Sequence, residues 1–304
     1  MTNTQVLRAA ASRKRRKPGL VRAVLALVPV LVLVTVAVFA PAIAPFDPER
    51  SVDAARLAPS VSHWFGTDAV GMDVFSRTVY GTRIAVRFAI VVALIATIGG
   101  ILIGVFIGLS ESSRGPLGLL GRLLNQISNY IIAVPDIILG IVIVGIMGAS
   151  DLTLTIAITL CLIQAPIKLT RVEVLRVRGE SYLEAAEMAG EPALRSALVH
   201  VVPNSLGPAM RNLPLIFGNC VIILASLGFI GVGLPMPTPE WGYMISSGVS
   251  ALMLGQWWPA VFPAIFVLLS VLAVAFTARA LPKTWPVLAD RFSKIIPNRR
   301  NSLA

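Results

Sequence analysis

The stretch from Ile84 to Leu109 reads IAVRFAIVVALIATIGGILIGVFIGL. About 20 apolar residues in a helix span the roughly 30 Å hydrocarbon core of a bilayer, so a run of this length and character belongs in a membrane. Within it Gly100, Gly104 and Gly108 recur at a spacing of four, which places them on one helix face, with Gly99 beside them. Small residues on a face let membrane helices approach backbone to backbone, which predicts a packed bundle and not a lone anchor.

The rest of the chain agrees. Of 304 residues 56% are hydrophobic and 13% charged, and mean hydropathy is +0.82, whereas soluble domains carry about 25% charged residues. The formal charge is +11 and the pI near 10.6, but the basic residues flank apolar runs instead of interleaving with aromatics, so no nucleic-acid partner is expected. Cys161 and Cys220 each lie inside an apolar run. They read as small packing residues, without a disulfide framework or a thiolate metal site.

Five further apolar runs flank the first. Val21–Ala44 follows the basic cluster Arg13, Lys14, Arg15, Arg16 and Lys17. Ala42-Ile43-Ala44 has the shape of a signal-peptidase site, yet the run exceeds the 7–15 residues of a signal h-region, so an uncleaved first span is expected. Ile127–Met147 is broken by Pro135 and Asp136; Leu152–Leu169, Pro208–Leu234 and Pro259–Ala280 complete the set. The expected organisation is an all-α polytopic membrane protein of six spans. A basic segment 1–20 precedes a first span 21–44 and an external loop 45–82. A five-helix core 83–280 follows, with a polar loop 173–204 inside it and a tail 281–304. Lys and Arg near membrane ends stay cytoplasmic, which puts both termini and the 110–125 and 170–204 loops in the cytoplasm. Trp64, Trp241, Trp257 and Trp258 fall on the opposite side and suit an interfacial aromatic belt.

Asp136, Asn219 and Ser226 are polar groups within spans that could line a pathway. Each either lines a pathway or hydrogen-bonds between helices. For Asp136 the favoured reading is a structural one, serving backbone groups freed at a bend, because no basic partner is near in sequence. An enzyme is not indicated. His63 and His200 fall on opposite sides of the membrane, and no P-loop G-x(4)-G-K-[ST] occurs, so nucleotide chemistry has to come from another polypeptide.

The 180–204 stretch reads as helix, break, helix. Ser181 to Ala189 precedes Gly190, Pro192 opens Ala193–Val201, and Pro203 is expected to end the element. Leu194, Leu198 and Val201 give the second helix an apolar face, and Leu183 with Ala186 begins a smaller one. Pattern alone leaves two readings, a knob that docks into a soluble partner or a hairpin lying on lipid.

The residues Glu184-Ala185-Ala186, Gly190 and His200-Val201-Val202-Pro203-Asn204 resemble the E-A-A-x(3)-G-x(9)-H-x-x-P-N signature of permease subunits in ATP-binding-cassette importers. His63 to Asp68 with Gly71 to Arg77 is similar to the H-x-F-G-T-D-x-x-G-R-D-V-F-S-R segment of the C-type permeases of dipeptide, oligopeptide and nickel transporters, with Met72 replacing an arginine. Ala225 to Gly233 with Pro237 to Gly242 resembles their A-S-L-S-F-L-G-L-G…P-P-T-P-E-W-G segment. The likeness stops before the end, where 276–285 lacks the family's N-x-x-G-D-x-L-R-D-x-L-D-P-R.

That resemblance implies a type I importer bundle in the bacterial inner membrane, paired with a second permease. Two ATPases would dock below the pair, and the signature loop would insert into a cleft of the ATPase subunit through Glu184 and Gly190, with Ala185, Ala186, Pro203 and Asn204 in the same loop and His200 holding its second helix. A binding protein would deliver the cargo, dipeptides or oligopeptides, from outside. ATP and Mg would be bound by the ATPases, with no cofactor on this chain. Nickel chelates and glutathione use similar permeases, and an ion-coupled carrier is a further alternative.

Overall fold

The computed structural model describes residues 20–280 apart from 182, 184–187 and 189. Among these residues the only extended pairing is an isolated bridge between Thr67 and Asp73. The helices are α1 (Leu20–Ile43), α2 (Val74–Ser110), α3 (Pro116–Ala133), α4 (Asp136–Met147), α5 (Asp151–Leu162) and α6 (Gln164–Arg178). They continue as α7 (Ala193–Ser196), a π turn (Ala197–Val201), α8 (Val202–Ser205), α9 (Gly207–Ile230), α10 (Trp241–Leu252) and α11 (Trp258–Ala280). Four helical stretches among the described residues, Val74–Ser110, Asp151–Arg178, Gly207–Ile230 and Trp258–Ala278, are long and apolar enough to cross a bilayer. The bent pair α3–α4 makes a fifth.

The glycine face does what its spacing predicts. A Cβ on Gly100 would stand 2.6 Å from Pro166 Cγ, one on Gly104 2.6 Å from the Ile167 carbonyl oxygen, and one on Gly108 2.7 Å from Val174 Cγ1. Three turns of α2 therefore lie against α6 at backbone distance. The main core continues from α2 through Phe88, Val92 and Ala96 to Ile158 of α5 and Leu224 and Leu227 of α9.

Several boundaries differ from expectation. Helix α2 starts at Val74, so the last part of the expected 45–82 loop is helical: Asp73 accepts the Ser76 N–H at 2.7 Å as N-cap, and Val74, Ser76 and Thr78 are fully buried. At about 1.5 Å per residue its 37 residues extend some 55 Å, well beyond a 30 Å core. The third span starts at Pro116, inside the expected 110–125 loop, and is two helices bent by 98°, because Pro135 cannot continue a helix and holds Val134 extended at ψ 128°. The fourth runs on past Leu169 to Arg178, so the polar stretch expected to begin at Thr170 starts as helix.

The 235–258 segment, expected as a loop, contains α10. Its Trp241 is 2% exposed and donates its indole N–H to the Thr78 carbonyl at 2.9 Å, while the buried Trp258 donates to the Thr67 carbonyl at 3.1 Å. These two tryptophans are internal struts; only Trp64 and Trp257 are exposed as an aromatic belt requires. Arg77, also buried, donates to the Pro48 and Pro237 carbonyls at 2.7 and 3.1 Å. The same nitrogen meets the sulfur of Met72 at 2.6 Å. An arginine at 72, as in the family pattern, would set a second cation there, and the thioether takes its place as a weak acceptor.

Glu240 caps α10, accepting the N–H groups of Gly242 and Tyr243 at 2.7 and 2.8 Å. Burial pushes its carboxyl up to about 7, against the lowering effect of those two donors. Because the folded value lies above the ordinary 4.5, the folded state holds the extra proton between the two values, and stability falls as pH rises from about 4.5 to about 7. The purified protein should therefore melt at a lower temperature at pH 7.5 than at pH 5, and Glu240→Gln should flatten that slope in a thermal scan.

Candidate functional site

The knob that follows α6 is anchored before it is shaped. Arg171 makes a two-pronged ion pair with Glu111, both contacts at 2.8 Å, and Arg178 donates to the Gly108 and Leu109 carbonyls at 3.0 and 3.3 Å. Two of the open carbonyls at the end of α2 are thus satisfied by α6, and the two helices are tied together at this end. Val174 and Val177 of α6 then pack with Leu183 and Val201, all four buried. Composition flagged none of these contacts, since they join residues about 60 and 70 apart in sequence.

Gly190 stands at φ +80°, exposed, with nothing within 4 Å of where a Cβ would be. Its requirement is a backbone one: the left-handed conformation that turns the chain between the two helical parts. Glu191 pairs with Arg195 at 3.4 Å and with His200 Nε2 at 3.3 Å, so His200 ties the second part to its start. Asn204 Nδ2 donates to the His200 carbonyl at 2.7 Å. Glu184, Ala185 and Ala186 of the signature lie outside the described residues.

Pro203 does not end the element. It sits in the first turn of α8, and the turn before it widens into the π turn, where the Val202 N–H reaches the Ala197 carbonyl. A proline removes one intrahelical donor and its ring crowds the preceding turn, and a wider turn relieves both. The expected apolar face of the second helix is also divided. Val201 turns inward at 3% exposed, whereas Leu194 and Leu198 point out at 72% and 59%, with Met188 at 88%. A knob braced from behind by two ion-paired helices thereby presents an apolar front.

Of the three polar candidates for a pathway, Asn219 and Ser226 share one stripe of α9 with Leu215, Ile222 and Phe229, all at least partly exposed. The Ser226 hydroxyl donates to the Ile222 carbonyl at 2.8 Å. The uncovered stripe of α2, by contrast, runs through Ile90, Leu94, Ile98 and Leu102 with no polar side chain, as a lipid-facing surface requires. Asp136 opens α4, exposed, and its side chain caps nothing: it has no hydrogen bond or ion pair among the described residues. The structural role expected for its carboxylate is therefore not what is found; only its backbone oxygen is engaged, accepting from Cys161 Sγ at 3.3 Å. Helix α4 rests on α9 where Gly140 meets Leu227, so the two elements carrying all three residues are neighbours.

Residues 100–285 match the model of the family described as binding-protein-dependent transport system inner membrane component. Among individual relatives, the chain is 33% identical over 251 residues to the di/tripeptide transport system permease protein DppC of Pseudomonas aeruginosa, covering 80% of each. It is 34% identical over 258 residues to the dipeptide transport system permease protein DppC of Escherichia coli, covering 83% of this chain and 84% of that one. The glutathione transport system permease protein GsiD of E. coli is 33% identical over 248 residues, covering 80% and 79%. With a helical bundle of membrane-spanning length and the signature-loop geometry in place, the chain belongs to the inner-membrane components of binding-protein-dependent transport systems, as a multi-pass C-type permease subunit of the peptide ABC type.

Proposed function

We propose that this chain forms half of a translocation pathway for dipeptides and oligopeptides, working beside a second, homologous permease. Two ATP-hydrolysing subunits dock below the permease pair, one of them on the 181–204 knob, and an extracytoplasmic binding protein delivers cargo to the opposite face. The observation that carries the coupling role is the knob's construction: Leu194 and Leu198, one turn apart and exposed, on a base where Arg171 and Arg178 tie α2 to α6. A rigid-body displacement of the knob has to move the spanning helices with it, which is what driving a pathway between inward and outward states requires.

The chain spans six times with both termini in the cytoplasm, a reading supported by the basic residues Arg114, Arg122 and Arg171 at the end of the helices that carries the knob. ATP and Mg belong to the ATPase partners, and this subunit contributes no catalysis. The α9 stripe with Asn219 and Ser226 faces the pathway. Short peptides are supported as cargo by the relatives' names, and glutathione is itself a tripeptide. The test is affinity purification from solubilised membranes with identification of the co-purifying chains. Recovery of a second permease and P-loop ATPases supports the assembly; a chain that purifies alone and moves solute without ATP overturns it.

A further inference from the structure

Asp136 lies level with the middle of the helical stretch made by α5 and α6. Two ion pairs bracket the span made by α5 and α6: Asp151 with Arg87 at one end, and Arg171 with Glu111 at the other. Twenty residues separate Asp151 from Arg171 (171 − 151), about 30 Å of helix and the thickness of the hydrocarbon core. Cys161, ten residues from each, is at the midpoint, and its sulfur lies 3.3 Å from the Asp136 backbone oxygen. The Asp136 side chain is exposed there, with no cation among the described residues to meet it. A carboxylate at that depth is costly and persists where it faces a water-filled cavity or a cationic partner.

Resting on the peptide-import reading above, we propose that Asp136 binds the ammonium group of the peptide amino terminus as cargo crosses the mid-membrane. The neighbouring surface offers hydrogen-bonding partners for the amide groups of a peptide. The α9 stripe beside α4 offers an amide at Asn219 and a hydroxyl at Ser226, and no charge from Asn219 to Phe229. Asp136 is thus a negative charge beside an uncharged stretch of α9, opposite in sign to the ammonium that an unmodified peptide carries at its amino terminus. The twelve-residue helix α4 starts at Asp136, and the positive end of its dipole complements the carboxylate when no cargo is present.

The test is uptake of tritiated dialanine into proteoliposomes holding the whole transporter with its binding protein. Asp136→Asn and Asp136→Cys are expected to lower uptake at least tenfold while the second permease and the ATPases still co-purify. Treating the Asp136→Cys protein with a sulfonatoethyl thiosulfonate, which restores a negative charge, should recover much of the loss. A trimethylammonium-ethyl reagent of similar size should not. The wild type, whose Cys161 and Cys220 are buried, serves as the reagent control. Uptake unchanged in Asp136→Asn, equal recovery with both reagents, or loss of the partner permease on purification overturns the proposal, the last by assigning the carboxylate to an ion pair between subunits. If the wild type accumulates no dialanine, the peptide-import reading itself fails before any variant is compared, and this inference fails with it.

Discussion

Gly190→Pro should insert into the membrane and assemble with its partner permease, yet reduce ATP-driven peptide uptake by at least about 100-fold. The argument is confined to one backbone position. Gly190 stands at φ +80° while proline is held near −65°, so the substitution cannot be accommodated without re-routing the turn between the two helical parts of the knob. Nothing lies within 4 Å of the Cβ position, and the glycine is exposed, so no core contact is lost. Insertion depends on the apolar spans, which are remote from it. The turn instead sets the direction in which Leu194 and Leu198 are presented relative to the base made by Leu183 and Val201. Gly190→Ala, strained by only about 1–2 kcal/mol in the same conformation, should fall between wild type and proline. Uptake and ATPase rates measured on the same proteoliposomes check this. Loss of insertion together with uptake would count against a purely coupling role.

Periodicity and length made the bundle legible in the sequence. Gly100, Gly104 and Gly108 announced a close helix contact, and Pro135 announced a break. What they did not announce was the partner: α6, reached through Pro166, Ile167 and Val174, is distant in sequence, and no local pattern encodes which helix fills a glycine groove. The outer ends were misjudged for a related reason. Residues 74–83 and 241–252 carry the polar and aromatic side chains expected of loops, but those side chains are satisfied by backbone carbonyls inside the protein, Arg77 by Pro48 and Pro237 and Trp241 by Thr78. Hydropathy reports transfer to lipid and is silent on polar groups that satisfy each other. At the knob Gly190 takes a left-handed turn and His200 meets Glu191, while the sorting of Val201 inward and Leu198 outward depended on the π turn before Pro203, which shifts the helical register by one residue. Asp136 was misread as a bend-serving group because a proline-bent helix invites that reading; its carboxylate caps nothing among the described residues.

Replacing Gly104 by leucine is expected to prevent accumulation of folded protein altogether. The added Cβ would stand 2.6 Å from the Ile167 carbonyl oxygen and 2.8 Å from Thr170 Cβ, and the first of these is backbone that cannot rotate away. Relief requires α2 and α6 to separate along the seam that Gly100 and Gly108 also need, and the Arg171–Glu111 and Arg178 contacts at its end resist that movement. Overpacking a well-filled core costs about 1–3 kcal/mol where side chains can adjust, and a backbone clash in mid-seam should exceed it, a large fraction of the roughly 5–15 kcal/mol that holds a domain folded. Gly145→Ala supplies the contrast within one experiment. Gly145 is inside α4 with nothing within 4 Å of the new methyl, so the substitution adds helix propensity worth up to about 1 kcal/mol and no clash. Detergent-extracted fusions to a fluorescent protein, run on size exclusion after graded heating, should show Gly145→Ala at or above the wild-type midpoint and Gly104→Leu as aggregate at every temperature. A monodisperse Gly104→Leu peak would mean that the α2–α6 seam opens in the native protein, and the rigid base assigned to the coupling knob would have to be abandoned with it.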